Sequence, residues 1–160
     1  MGRTVCFTGH RHLPTEGYRE LLDTLLGVIE NQVAQGAEVF RAGGALGFDT
    51  MAALAVLSVR RRYPNIRLEL ILPCPSQIRG WAADDKVLYE QIKEQADSVR
   101  YISTGYYAGV LQQRNRALVD GADVCVTYLR NSEGGGTAYT ASLALKNGLD
   151  LINLYDMIQK

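Results

Sequence analysis

Two glycine-rich segments of the chain have the composition of anion-binding turns. The first, Gly43-Gly44-Ala45-Leu46-Gly47-Phe48-Asp49, follows a strand-like run and opens a helical one. Glycines let backbone N–H groups approach an anion closely, and the helix N-terminus adds partial positive charge. Gly43, Gly44, Gly47 and Asp49 are therefore candidate ligand contacts. The alternatives are a tight turn that needs positive φ and an N-capping role for Asp49.

The second turn, Glu133-Gly134-Gly135-Gly136-Thr137, also lies between a strand and a helix. Three consecutive glycines leave backbone donors uncovered, and a phosphate at the start of the helix would organise them. Gly134, Gly135, Gly136 and Thr137 are the candidate contacts, with Thr137 or Thr140 adding a hydroxyl donor. The competing interpretation is a disordered surface loop.

A pair of arginines occurs in the helical segment Gln113-Arg114-Asn115-Arg116. Residues two apart on a helix point roughly 200° apart, so only one arginine can face a crevice. Arg114, beside Asn115, is the candidate anion clamp because a guanidinium presents a fork of donors. Arg116 would then be solvated or paired with an acid. From spacing alone, a solvated helix face competes with this interpretation.

Polar residues also follow the first predicted strand, as Thr8-Gly9-His10-Arg11. At the carboxyl end of a central strand, all four are candidate ligand contacts. His10 has a side chain that can do acid–base work near neutral pH, or it can simply hydrogen-bond a loop carbonyl.

Trp81 is the candidate for stacking on a base, with ordinary packing as the alternative, and Tyr106 or Tyr107 is a further candidate for lining the crevice. No spacing of Cys and His suits a metal, so no metal site is predicted.

The elements that position these residues alternate between strand and helix. The strand-like runs are short and apolar, at 4–8, 38–42, 67–72, 98–102, 123–129 and 151–154. The helical runs are at 15–35, with Thr15 as its cap, and at 49–62, 83–96, 109–120 and 137–147. Such alternation predicts an α/β fold, a three-layer α/β/α sandwich with a mostly parallel central sheet. Ligands bind such sheets beyond the carboxyl ends of the strands, near the topological switch point.

Composition narrows the class of protein. Lys+Arg and Asp+Glu are both 17, so the formal net charge of zero excludes a globally basic binder, although 13 arginines against 4 lysines suit local anion contacts. Length predicts one domain over residues 1–160. Three cysteines without a CxxC pair predict no disulfide framework, and Cys6 and Cys125 fit a core. With no membrane-length apolar run or secretion signal, the predicted location is the cytoplasm.

Four motifs in register resemble the SLOG superfamily of Rossmann-like proteins, which includes DprA (Smf), the LOG phosphoribohydrolases and YpsA-like proteins. Thr8-Gly9-His10-Arg11 is similar to the YpsA branch, whereas Gly43–Asp49 and Arg114-Asn115-Arg116 resemble DprA. The segment Gly136-Thr137-Ala138-Tyr139-Thr140-Ala141 is similar to a helix start shared by the family. The resemblance implies a cytoplasmic sensor or adaptor that binds a nucleotide-like ligand, such as a nucleoside phosphate or ADP-ribose. No other cofactor is predicted.

The resemblance also implies two alternative functions. LOG enzymes hydrolyse nucleoside monophosphates and carry a Glu where this chain has Thr140. A hydroxyl cannot replace that acid/base carboxylate at neutral pH, so Arg114 and Glu133 are the catalytic candidates that remain. DprA-type proteins bind single-stranded DNA and recruit a protein partner. The resemblance further implies a homodimer or higher homo-oligomer. No membrane partner is predicted, because the chain has no membrane-length apolar run.

Overall fold

The computed structural model describes residues 2–130 and 135–158. The described strands are β1 (Arg3–Gly9), β2 (Ala37–Ala42), β3 (Arg67–Leu72), β4 (Ser98–Tyr101), β5 (Val124–Tyr128) and β6 (Asp150–Asn153). The described helices are α1 (Tyr18–Ala34), α2 (Phe48–Arg60), α3 (Ala83–Gln95), α4 (Val110–Val119), α5 (Gly136–Lys146) and α6 (Leu154–Ile158), with a 3-10 turn at Pro75–Ile78.

All six strands run parallel in the order β4-β3-β2-β1-β5-β6, which confirms the predicted Rossmann-like α/β fold. The chain runs outward from β1 to the edge strand β4, then returns across the sheet to β5 on the other side of β1. The topological switch point therefore lies between β1 and β5. Ligands of open α/β sheets bind at the carboxyl ends of such a strand pair.

Helices cover both faces of the sheet. Successive side chains of a strand point to opposite faces, so each face has apolar side chains that a helix can bury. Val5 and Phe7 of β1 belong to the larger core, which includes residues of α1, α2, α3 and α6. Cys6 of β1 and Cys125 of β5 belong to a smaller core under α4 and α5. All three cysteines are buried and unbridged, so the expectation that Cys6 and Cys125 are core residues is confirmed.

Two predicted helix starts were wrong, and one short helix was missed. Helix α1 begins at Tyr18 and is preceded by Gly17 in a left-handed conformation (φ 81°), so Thr15 does not cap it. Helix α2 begins at Phe48 with Gly47 at the N-cap position, so Asp49 lies in the first turn instead of capping it. Helix α6 was missed because its five residues are too few to show a helical period.

None of the described helices is long and apolar enough to cross a bilayer.

Candidate functional site

A cleft of about 320 Å³ opens at the carboxyl ends of β1 and β5, on the face of the sheet that α4 and α5 cover. Four segments that are distant in sequence contribute its walls. They are the end of β1 with its following turn, the β2–α2 loop, one face of α4 and the first turn of α5. The lining residues are Thr8, Gly9, His10, Arg11, Ala45, Asp49, Leu111, Arg114, Asn115, Leu118, Gly136 and Thr137.

Arg114 is the buried cation of this cleft, with a relative exposure of 6%. Its Nη1 donates to the Gly43 carbonyl oxygen, and its Nε donates to Asn115 Oδ1 at 2.9 Å. Burial lowers the pKa of Arg114, the Asp49 carboxylate opposes that shift, and the charge of Arg11 adds to it. The guanidinium is thus fixed in place by the β2–α2 loop while it lines the cleft.

Asp49 is the one carboxylate among the described residues that line the cleft. It is also 6% exposed, and its Oδ2 accepts the Ala45 N–H at 3.1 Å. Burial raises the pKa of this carboxyl, whereas the Arg114 charge, the Ala45 hydrogen bond and the Arg11 charge lower it. Two cations therefore surround one carboxylate, so the described charges of the cleft favour an anionic ligand.

The glycines of the β2–α2 loop allow close approach rather than line the cleft. A Cβ on Gly43 would lie 2.9 Å from both Arg114 Nη1 and Asp49 Oδ2. A Cβ on Gly44 (φ 76°) would lie 2.3 Å from Leu72 Cδ2, and one on Gly47 (φ 82°) would lie 2.2 Å from the Arg11 carbonyl oxygen. These contacts, together with positive φ, explain the glycines at 44 and 47.

The imidazole of His10 is anchored by the backbone. Its Nε2 accepts the Arg130 N–H at 3.0 Å, and the ring lies edge-on to Tyr128 with centroids 5.9 Å apart. Burial, followed by the positive charge of Arg130, lowers the pKa of His10. The neutral ring therefore connects the β1–α1 loop to the end of β5. Its partner is a backbone N–H, whereas the sequence suggested a backbone carbonyl.

Helix α4 separates the two arginines as predicted. Arg114 faces the cleft, whereas Arg116 is exposed on another side of the helix, where its Nε donates to the Tyr139 hydroxyl at 3.2 Å. At the start of α5, Thr137 lines the cleft. Thr140 is buried, and its hydroxyl donates to the Gly136 carbonyl at 2.9 Å, so that hydroxyl is already engaged.

Other predicted residues lie elsewhere. Trp81 packs edge-on against Tyr89, with ring centroids 5.5 Å apart, and lines a separate small cavity. Of the described residues that line this cavity, Asp49 alone also lines the cleft. Tyr106 is 70% exposed, and neither it nor Tyr107 lines the cleft. Gly135 precedes α5 without lining the cleft. Glu133 and Gly134 lie outside the described residues.

Three lining residues were missed from sequence: Ala45, Leu111 and Leu118. Leu111 and Leu118 lie three residues before and four after Arg114, which is the spacing of neighbours on one helix face. That periodicity, applied to the candidate arginine, would have found them. Within residues 2–130 and 135–158, no group of three or more His, Cys, Asp or Glu side chains could hold a metal ion.

Comparisons with known proteins agree with this fold. The YpsA family model, described as the YspA SLOG family, matches residues 15–157. The chain is 29% identical over 129 residues to the uncharacterised SPbeta prophage-derived protein YoqJ of Bacillus subtilis, covering 72% of this chain and 75% of that protein.

A UPF0398 protein of Bacillus thuringiensis is 29% identical over 118 residues, and the match spans 72% of this chain but 64% of that protein. A solved structure of DNA processing protein A from Helicobacter pylori, described as binding single-stranded DNA, superposes with a TM-score of 0.66 at 22% identity. That match covers 93% of this chain and 63% of the other.

Proposed function

The chain belongs to the YspA SLOG family, as its motifs predicted, and from this premise we propose that the cleft binds the phosphate of a nucleotide or nucleotide-derived ligand. The protein then acts as a sensor or adaptor for that ligand. The observation that carries the proposal is the buried guanidinium of Arg114 in the cleft wall. A charge is buried at a cost unless it is paired, and a phosphate would pair it.

The surroundings of Arg114 support the same ligand chemistry. Helix α5 begins at the cleft, so its free N–H groups and partial positive charge face the same space. Arg11, which is exposed, adds a second cation at the rim. The cleft volume of about 320 Å³ is within the range of small-molecule sites.

Binding is favoured over hydrolysis because the chain has Thr140 at the position where LOG enzymes have a Glu. The Thr140 hydroxyl is buried and bonded to the Gly136 carbonyl, so it neither carries charge nor reaches the cleft as an acid. The remaining carboxylate, Asp49, is held between an amide and two arginine charges. Its charge therefore offsets theirs only in part, because it forms no ion pair within 4 Å with Arg114.

Thermal denaturation with a ligand panel tests the proposal. The panel contains nucleoside mono- and diphosphates, ADP-ribose, NAD and cyclic dinucleotides, each at about a hundredfold excess over its Kd. A ligand of the native state then stabilises by about 2.7 kcal/mol, which raises Tm by about 5–10 °C for a chain of this size.

Arg11→Ala should reduce that shift without unfolding the protein, since Arg11 is exposed. Arg61→Ala is the matched control because it removes the same charge from the exposed residue that follows α2, at the end of that helix away from the cleft. A panel that leaves Tm unchanged, or equal effects of the two variants, would contradict the proposal.

Binding of single-stranded nucleic acid is the second candidate, favoured by the fold shared with the Helicobacter pylori protein. Exposed Arg11, Tyr106 and Arg130 follow β1, β4 and β5, so they lie at one edge of the sheet where a phosphodiester chain could contact them. This candidate predicts oligonucleotide affinity that falls steeply as salt is raised from 50 to 200 mM. Absent or salt-independent binding rejects it.

A further inference from the structure

A second cavity, of about 260 Å³, lies on the face of the sheet opposite the cleft. It lies between the start of α1, the end of β5 and helix α6. Tyr128 and Tyr155 supply aromatic walls, Glu16 and Glu20 supply carboxylates, and Arg130 closes one side.

Among the described residues, His10 and Tyr128 connect the walls of this cavity and of the cleft. His10 lines the cleft, and its ring lies edge-on to Tyr128, which lines the second cavity. The centroids of the two rings are 5.9 Å apart. The Arg130 N–H, bonded to His10 Nε2, completes this connection. Both cavities therefore lie at the carboxyl ends of the central strands, the cleft at Thr8 and Gly9 of β1 and the second cavity at Tyr128 of β5.

The walls of the second cavity suit a planar ring that carries hydrogen-bond donors. Tyr128 and Tyr155 lie edge-on to one another, 6.0 Å apart, and present aromatic surface. Glu16 and Glu20 are exposed, and no ion pair among the described residues joins either of them to Arg130. Ionised carboxylates only accept hydrogen bonds, so the ligand must provide the donors.

We propose that this cavity is the base subsite of the same ligand, and that Glu16 and Glu20 select bases with an exocyclic amino group. The inference rests on the proposed phosphate site in the cleft. It names the ligand class more closely: nucleotides of cytosine, adenine or guanine bind, and those of uracil are discriminated against. The amino group donates to a carboxylate, whereas the uracil O4 would face it as a second acceptor.

Isothermal titration of CMP, UMP and ribose 5-phosphate tests this selection. CMP and UMP carry the same phosphate and differ at positions 3 and 4 of the ring. CMP has a 4-amino donor beside an N3 acceptor, whereas UMP has an O4 acceptor beside an N3–H donor. CMP should bind about tenfold more tightly than UMP, or more, since one correctly placed base contact discriminates by that factor. Ribose 5-phosphate should bind more weakly than CMP because it lacks the base.

The double substitution Glu16→Gln with Glu20→Gln should bring the CMP and UMP affinities close together, because a carboxamide both donates and accepts. Binding of ribose 5-phosphate should be unchanged. Glu94→Gln is the matched control, since Glu94 is an exposed glutamate of α3 outside both cavities.

Equal binding of CMP and UMP to the wild type, or discrimination that survives the double substitution, overturns the inference and leaves the phosphate site standing. No binding of any of the three compounds overturns the proposed function and the inference with it.

Discussion

Gly43→Ala should displace two side chains that line the cleft, although Gly43 itself does not line it. The new Cβ would lie 2.9 Å from both Arg114 Nη1 and Asp49 Oδ2, whereas ordinary contacts begin at 3.4 Å. Both side chains are buried, so neither can swing freely into solvent. Gly43 is not among the described glycines with positive φ, so its backbone accepts alanine. The substitution therefore acts through the displaced guanidinium and carboxylate.

The cost follows from the contact that is lost. Arg114 donates to the Gly43 carbonyl, and a hydrogen bond from a charged donor contributes about 1.5–3 kcal/mol. Alanine restricts the unfolded chain and returns about 0.4–1 kcal/mol. The free energy of unfolding should fall by about 1–2 kcal/mol, which lowers Tm by about 2–8 °C. A displaced guanidinium should also shrink the Tm shift that a phosphate ligand produces.

Gly27→Ala is the matched control for this measurement. Gly27 lies on the exposed side of α1, and a Cβ there meets nothing within 4 Å. Alanine favours the helix interior over glycine by about 0.5–1 kcal/mol, so this variant should melt above the wild type. If Gly43→Ala also melts above the wild type and keeps the full ligand shift, the packing of Arg114 and Asp49 against Gly43 is wrong.

Three other substitutions test separate contacts. Gly47→Ala should destabilise more than Gly36→Ala in urea titrations, because both have positive φ but only Gly47 would place a Cβ against the Arg11 backbone; equal losses would argue against that approach. Burial and a neighbouring guanidinium lower the pKa of His10 below 6.5, so the native state resists protonation and stability declines as pH falls below 6.5. His10→Gln should remove that part of the decline, and an unaltered pH profile would contradict it. Arg116→Ala should leave nucleotide affinity unchanged, since Arg116 does not line the cleft; a loss in titration would reassign the clamp.

Strand and helix order could be predicted from sequence because most strands contain a short apolar run and the longest helices have an apolar face. The order of strands in the sheet could not. Whether β5 joins the β4 edge or the free side of β1 depends on which helix faces pack together, and this is a tertiary property. The switch point between β1 and β5 therefore appears only in the folded chain.

For the site, residue type and loop position identified Arg114, Asp49 and His10, but not what each contacts. Trp81 shows the limit most clearly: it follows a strand, as ligand contacts do, yet its ring packs against Tyr89. The glycines of the β2–α2 loop show the same limit. A phosphate-binding turn and a close approach between two backbone segments both require glycine, so the residue type does not distinguish them. Gly47 meets Arg11, which lies 36 positions earlier, a distance no local pattern reports.

Arg41 is a structural arginine with which Arg114 can be compared. Arg41 is half-buried, and its guanidinium has abundant protein partners. Its Nε pairs with Glu69 at 3.3 Å, and its Nη1 lies within hydrogen-bond distance of three carbonyl oxygens at the end of α4: Ala117, Leu118 and Asp120. Arg41 thus has a structural role: it caps the C-terminal carbonyls of α4 and pairs with the Glu69 carboxylate.

Arg114 is more deeply buried and has fewer partners. A guanidinium has five N–H donors, and within the described structure Arg114 engages Gly43 and Asn115. No ion pair within 4 Å joins it to Asp49, and that carboxyl has a pKa raised by its own burial. A buried charge so incompletely paired costs stability in the free protein. A phosphate in the cleft would supply the missing acceptors and recover that cost, which is why the geometry of Arg114 favours an anion site over a structural brace.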